Sequence, residues 1–232
     1  MTIHRRFPVL TLLALLACAP TLSATIAEVA TFDEKVENAA TIVLGTCVKT
    51  EARWDSAHRW ILTYSTFHIE KVIKGSAGVS ELTIVTPGGS VGGLHQETIG
   101  IPEFRAGDER VLFVKMTRSG PTVLYFDQGT YGVHTESGEK IIAPMASKLV
   151  KINTNGFAVT DNEPARRLSQ FEGDVSESMR TIGERKEKMN ALAGRKHHDD
   201  ASLLDVLKRN PLLVILALAG LALATWRLVR RQ

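Results

Sequence analysis

IVLGTCVKTEARWDSAHRWILTYSTFHIEKVIKG, residues 42–75, decides the fold class. Two runs rich in β-branched and aromatic residues flank a short polar break, Ser56–Arg59. Apolar and polar residues alternate in both runs, the period of a half-buried strand. The pair therefore reads as a long hairpin. Gly45 interrupts the first strand and predicts a bulge or bend. Candidate core positions on the second strand are Ile61, Tyr64 or Thr63, Phe67, Ile69 and Val72. Cys47 falls on the first strand, and nothing in the sequence places it in the basic, partly exposed setting of a reactive thiol, so it reads as a small buried hydrophobe.

Working outward, the strand pattern continues downstream. SELTIVTPGG (80–89), GLHQETIGIP (93–102), ERVLFVKMTR (109–118), TVLYFDQGTYGV (122–133) and EKIIAP (139–144) each read as a strand, with Gly129 and Gly132 bending the fourth of these. No helical stretch separates them, which predicts an antiparallel barrel or sandwich rather than a βαβ fold. Upstream, Thr31 and Glu34 have the spacing of a capping box, and Phe32, Val36 and Ala39 or Ala40 would face inward from a short helix. Near the other end, Leu168, Phe171, Val175, Met179 and Ile182 repeat at helical spacing behind a second capping box, Ser169 and Glu172. That helix is expected to pack on the sheet.

The ends address the chain. His4, Arg5 and Arg6, an apolar run from Phe7 to Ala19, and small residues at Ser23 and Ala24 have the layout of a signal peptide over 1–24. LLAC, Leu15–Cys18, is an alternative lipobox with Cys18 as the lipidated residue. The run over 209–228 has no charge between Asn210 and Trp226, about 25 Å of helix at 1.5 Å per residue. Trp226 suits the interface, and the arginines after it suit the cytoplasmic face. The expected plan is an exported domain over 25–190, a polar tether over 191–208, a transmembrane helix over 209–228 and a cytoplasmic tail over 229–232. This places the chain in the inner (cytoplasmic) membrane, single-pass, with its main domain periplasmic or extracellular. The formal charge of +3 in 232 residues comes largely from the two ends. The exported part has no basic block, so nucleic acid is not an expected partner.

Two elements carry a family resemblance: Val43-Leu44-Gly45-Thr46-Cys47-Val48, and Ile69-Glu70-Lys71-Val72-Ile73-Lys74-Gly75. They resemble the opening strands of OB-fold domains of the tissue-inhibitor-of-metalloproteinase (TIMP) and netrin-module kind. The following Gly-Gly, Gly100-x-Pro102-x-Phe104 and Gly107-Asp108-Glu109-x-Val111-Leu112 are similar to an exported bacterial family with such a domain. The resemblance spans about residues 40–133 and implies an OB-like antiparallel β-barrel; with the short N-terminal helix, the C-terminal packing helix and the single C-terminal transmembrane helix read from the residues, this completes the expected fold. The metalloproteinase inhibitors chelate zinc through an N-terminal cysteine. After the expected cleavage site the first cysteine here is Cys47, so that mechanism is not implied.

The chemistry-bearing candidates are few. Gly88, Gly89, Gly92 and Gly93 lie between strands, without the helix start or Lys-Ser/Thr of a phosphate loop, and read as an exposed hairpin or crossover. A loop of this length is also a candidate binding surface. IPEFRAGDER should tuck Phe104 beneath the turn. Trp54 and Trp60 flank the polar break, as a cross-strand aromatic pair or an exposed contact patch, with Arg53 and Arg59 able to stack on them. His95 adjoins the glycines. His197-His198-Asp199-Asp200 sits in the polar tether and lacks the spacing of a metal site. No catalytic motif, cofactor or metal set is expected. The candidate partner surface is Trp54, Trp60, Gly88, Gly89, Gly92, Gly93 and His95. The expected role is non-enzymatic binding or assembly in the cell envelope. The alternatives are a regulator of an exported protease and an envelope hydrolase.

Overall fold

The computed structural model describes residues 26–209 apart from 77, 79, 161 and 162. The expected signal peptide, Cys18, the cytoplasmic tail and all but the first residue of the expected membrane span lie outside the described residues. No helix among the described residues is long and apolar enough to cross a membrane. The chain divides into two compact units, Met1–Ser176 and Glu177–Gln232.

In the first unit the order is β1 (Ile26–Glu28), α1 (Phe32–Asn38), β2 (Thr41–Trp54), β3 (Ile61–Lys74), β4 (Glu81–Pro87), β5 (Gly89–Val91), β6 (Leu94–Gln96), β7 (Glu109–Thr117) and β8 (Gly120–Val123). A 3-10 turn (Phe126–Gly129) follows, then β9 (Thr130–Glu136), β10 (Glu139–Pro144), β11 (Val150–Ile152), β12 (Arg166–Arg167) and the start of α2 (Leu168–Arg209). The fold is mainly β. One sheet runs β12-β10-β9-β7-β2-β3-β4, with β8 also paired to β7, and its ladders are antiparallel. β5 and β6 form a separate hairpin, and β1 pairs in parallel with β11.

The expected closed barrel is not what forms. Among the described residues no ladder joins the two ends of the sheet. β8 lies beside β4 without hydrogen-bonded pairing, close enough that a Cβ on Gly120 would sit 3.2 Å from Val85 Cγ2. The physical reason is the brevity of β8: it has four residues, and Pro121 has no N–H to offer a neighbour. The strand expected over 122–133 is also broken. Tyr125 and Phe126 adopt left-handed φ values of 52° and 60°, turning the chain into the 3-10 turn before β9 begins.

Local readings of the hairpin survive. The β2–β3 register shifts between Leu44 and Gly45, and a Cβ on Gly45 would sit 2.5 Å from the His68 carbonyl oxygen, so the bulge needs glycine. Strand alternation buries Ile61, Ser65 and Phe67 and half-buries Thr63 and Ile69. Val72 falls on the opposite phase and is exposed, contrary to the expectation. One core layer joins Val43, Cys47, Phe67, Ile84, Phe104, Leu112, Val114 and Val123. Cys47 is a free, buried thiol within it.

Across β7, Phe113 points the other way and meets Tyr131, Phe171 and Phe32, with ring centroids 5.5, 6.1 and 6.2 Å away. Three of the four side chains come from α1, β9 and the first turn of α2, so this aromatic cluster fixes α1 and that first turn to the sheet. α1 has the expected capping box: Thr31 N–H donates to Glu34 at 2.8 Å and Glu34 N–H donates to Thr31 Oγ1 at 3.3 Å. Val36 within it and Ala39 at its C-cap are buried as expected, joined by Lys35, which the pattern did not anticipate. α2 starts earlier than expected. Leu168 opens it, Ser169 lies in its first turn, and Gln170 Oε1 accepts the Arg167 N–H at 3.2 Å instead.

The second unit carries the rest of α2. On it Arg180 pairs with Glu177 and Glu184, each at 2.5 Å, spacings that place all three on one helix face. The stretch 191–208, read as a polar tether, is helical.

Candidate functional site

The glycine stretch separates into two pairs with different reasons for being glycine. Gly92 and Gly93 form the two-residue tip of the β5–β6 hairpin, with φ of 58° and 81°. Both central residues are left-handed, as in a type I′ turn, whose twist suits flanking strands. A Cβ at either would meet nothing within 4 Å, so conformation is the constraint there. Gly88 and Gly89 have φ of 103° and 132°, and here space matters as well. A Cβ on Gly89 would lie 2.5 Å from Thr63 Oγ1 and 2.8 Å from Ala52 Cβ. The chain crosses the β2–β3 ribbon at that point with no room for a side chain.

Three hydrogen bonds pin the base of the hairpin. Gly88 N–H donates to the Ile61 carbonyl at 2.8 Å, Thr63 Oγ1 donates to the Gly88 carbonyl at 2.6 Å, and Ile61 N–H donates to Gln96 Oε1 at 3.0 Å. The Gln96 amide thus takes the place of a backbone partner where the β3 ladder ends. Higher up, Ser90 Oγ and His95 Nδ1 face each other across the hairpin at 2.9 Å. Both are exposed, and this contact fixes the register of the tip.

Between the hairpin and the loop 97–105 lies an open cleft of about 240 Å3. Its polar wall comes from Thr50, Thr63, Thr86, Thr98 and Ser90, and its apolar wall includes Ile101 and Pro102. Phe104 anchors the loop. It is buried as expected, edge-on to Phe67 at 5.0 Å, while Thr50 Oγ1 donates to its carbonyl at 3.2 Å. Two further backbone bonds of 2.8 Å, Gly107 N–H to Cys47 O and Cys47 N–H to Asp108 O, tie the loop to β2. Glu97 at the rim meets Lys148 at 3.3 Å across solvent, a contact of little energetic weight.

The tryptophans do not form the cross-strand pair. Trp54 is paired in register with Ile61 and stacks on His58, centroids 6.3 Å apart. Trp60 lies one residue beyond the ladder and is 57% exposed. Arg53 stacks on Tyr64, 3.8 Å from its centroid, instead of on a tryptophan. Asp55 organises the turn by accepting the N–H groups of Arg59 at 2.7 Å and Trp60 at 3.2 Å. The Arg59 N–H, more than any charge, holds the Asp55 carboxyl below the usual aspartate range.

Of the sequence-predicted surface, Gly88, Gly89 and His95 line the cleft, Gly92 and Gly93 form the tip of its hairpin, and Trp60 is not among the lining residues but precedes Ile61, whose N–H bonds Gln96 of the lining. Trp54 is not among the lining residues and stacks on His58 of its own turn. The threonines were missed. Each reads singly as a strand former, and only the repeated Thr before Pro87 and before Ile99 hints at a shared hydroxyl surface. Among the described residues no group of three or more His, Cys, Asp or Glu is placed to hold a metal ion. The cleft offers hydroxyl groups and apolar surface, and its lining also carries the charged side chains Glu97, Glu103 and Arg105. No protein-family model matches this chain, and no curated protein matches it.

Proposed function

We propose that this chain is an exported, membrane-tethered binding module of the cell envelope, and that its contact surface is the β5–β6 hairpin with Trp60 and the threonine-lined cleft. The observation that carries the reading is preorganisation. The hairpin base is bonded on both edges, Leu94 on its second strand is 60% exposed, and Trp60, the residue before the bonded Ile61, is 57% exposed. Large apolar side chains held on a fixed backbone lose little entropy when a partner covers them. The hydroxyls of the cleft would satisfy that partner's polar groups. The partner class is a protein of the envelope, an exported protease included. The kinship with TIMP and netrin-type OB domains belongs to the same proposal, as a curled sheet without closure; the bulged β2–β3 ribbon supports it. Export and the C-terminal anchor rest on the terminal sequence patterns.

The test is chemical crosslinking of the full chain in its native membrane, followed by mass spectrometry, for wild type and the Trp60→Ala/Leu94→Ala variant. A reproducible crosslinked protein that is lost in the variant supports the reading. The same partners at the same yield in both would place recognition elsewhere.

A further inference from the structure

The second unit has no part in the contact surface above, yet it carries an uncovered apolar face of its own. On α2, Ile182 is buried. Met189 follows it by seven residues, close to the same helical phase, and is 64% exposed. The neighbours that share the Met189 face are Arg185, Lys186, Leu192 and Ala193, at the i−4, i−3, i+3 and i+4 positions. Leu192 is 60% exposed, and the other three are exposed as well. Lys188 borders the same face, about 100° from Met189 around the helix. Glu184 and Glu187 fall about 140° and 160° from Met189, at about 3.6 residues per turn. On that opposite side Arg180 holds Glu184 at 2.5 Å. The segment therefore segregates its charges. Three cations frame two large apolar residues, and the acids lie behind them.

We propose that this face of α2, residues 185–193, seats on a phospholipid bilayer that carries anionic headgroups. Met189 and Leu192 enter the boundary between headgroups and acyl chains. Arg185, Lys186 and Lys188 lay their aliphatic stems along the same boundary and keep their charges among the phosphates. Charge selects this occupant. Cations on the apolar side, with the acids turned away, complement a surface of dense negative charge. The inference rests on the expected membrane anchor over 209–228. α2 ends at Arg209, about 26 Å of helix beyond Leu192, so an anchor there keeps this face near the bilayer. In the sequence the pair Asn210-Pro211 follows, which favours a turn and lets α2 run along the membrane while the span crosses it. The face stands on different residues from the hairpin surface and leaves that surface free for its own partner.

The experiment is NMR of the full chain, labelled with 13C in its methionine methyl groups, with lipid nanodiscs that contain a lipid bearing a nitroxide near its headgroup. One set of discs is phosphatidylcholine; the other is phosphatidylcholine mixed with phosphatidylglycerol. Met189→Leu assigns the Met189 signal, and Met116, exposed on β7 of the first unit, is the internal reference. The expected result is broadening of the Met189 methyl well beyond that of Met116 in the anionic discs, and not in the neutral ones. Arg185→Gln/Lys186→Gln/Lys188→Gln should reverse it, since each cation at an anionic surface is worth roughly fivefold in the seated population. Trp60→Ala should leave it unchanged. Co-elution of the chain with neutral discs reads the anchor by itself. A chain that does not co-elute there, yet shows the Met189 broadening with anionic discs, would support the lipid face and overturn the anchor. Met189 broadened no more than Met116 in anionic discs, or equally in both kinds of disc, would overturn the proposal. So would undiminished broadening in a folded triple variant.

Discussion

Glu163→Ala should be among the most destabilising single changes in the first unit, because of what it strands. Lys35 is 2% exposed, and its ammonium donates to Glu163 Oε2 at 2.9 Å and to the Tyr131 hydroxyl at 2.5 Å. The Tyr131 hydroxyl donates to the same Glu163 oxygen at 2.7 Å, while Arg166 takes the other oxygen at 2.7 Å. Truncating Glu163 leaves a buried ammonium facing one neutral oxygen. Breaking a buried pair from one side costs about 3–5 kcal/mol, whereas replacing both partners by apolar groups is often nearly neutral. For a domain of this size about 1 kcal/mol moves Tm by roughly 2–4 °C, so Glu163→Ala should lower Tm by on the order of 10 °C. Lys35→Met/Glu163→Gln should recover most of that loss. Lys35→Met alone should be milder than Glu163→Ala, since Glu163 keeps Arg166 and Tyr131. Thermal unfolding of the full chain in detergent, followed by near-ultraviolet circular dichroism, reads the transition through the aromatic cluster around Tyr131. A Glu163→Ala shift below about 2 °C, or a double variant no more stable than Glu163→Ala, would show that Lys35 finds water or another acceptor and that the pair is not isolated from solvent.

Two further outcomes follow from the sheet. Lys140 bridges Glu109 and Glu70, each at 2.5 Å; Glu109 first and Glu70 second raise its pKa, while Lys140 first and Thr46 second lower that of Glu70. Glu70 holds its proton more weakly folded than unfolded, so its contribution is present above the unfolded carboxylate pKa and lost as pH falls through the folded one. Lys140 is the reverse, its contribution lost as pH rises through its raised folded pKa. The stability gap between wild type and Lys140→Ala, read by urea unfolding, should therefore be widest from about pH 5 to pH 10 and narrow on both sides; a gap that grows in acid would refute the assignment. In the glycine stretch, Gly89→Ala should destabilise by about 2–4 kcal/mol, combining positive φ with overpacking against Thr63 and Ala52. Gly92→Asn should be close to neutral, because asparagine accepts the left-handed conformation of a type I′ turn. Equal urea midpoints for the two variants would mean that the crossing over β2–β3 is looser than the geometry shows.

What the sequence disclosed, it disclosed where the controlling partners are close in the chain. The capping box of Thr31 and Glu34, the bulge at Gly45 and the strand EKIIAP, found as Glu139–Pro144, each depend on neighbours within a few residues or on one hairpin. Barrel closure depended on a property of the other kind. It required β8 to ladder with β4, and the brevity of β8 and its Pro121 do not show until the two lie side by side. Lys35 was illegible for the same reason. A lysine beside the apolar phase of a short helix reads as solvent-facing, and the acceptor that draws it inward is 128 residues away. The candidate site divides along this line. Its glycines were visible because turn geometry is local. Its hydroxyl wall was not, because Thr50, Thr63, Thr86 and Thr98 come from four segments and each suits a strand or loop without any role in a cleft. The chain at Tyr125 and Phe126 adds a case that local pattern alone does not predict. Tyr125 and Phe126, which lead into the 3-10 turn, are poor choices for the left-handed backbone that they adopt. Local preference and tertiary placement conflict there, and such conflict is expected where selection acts on what a group does more than on how comfortably it sits.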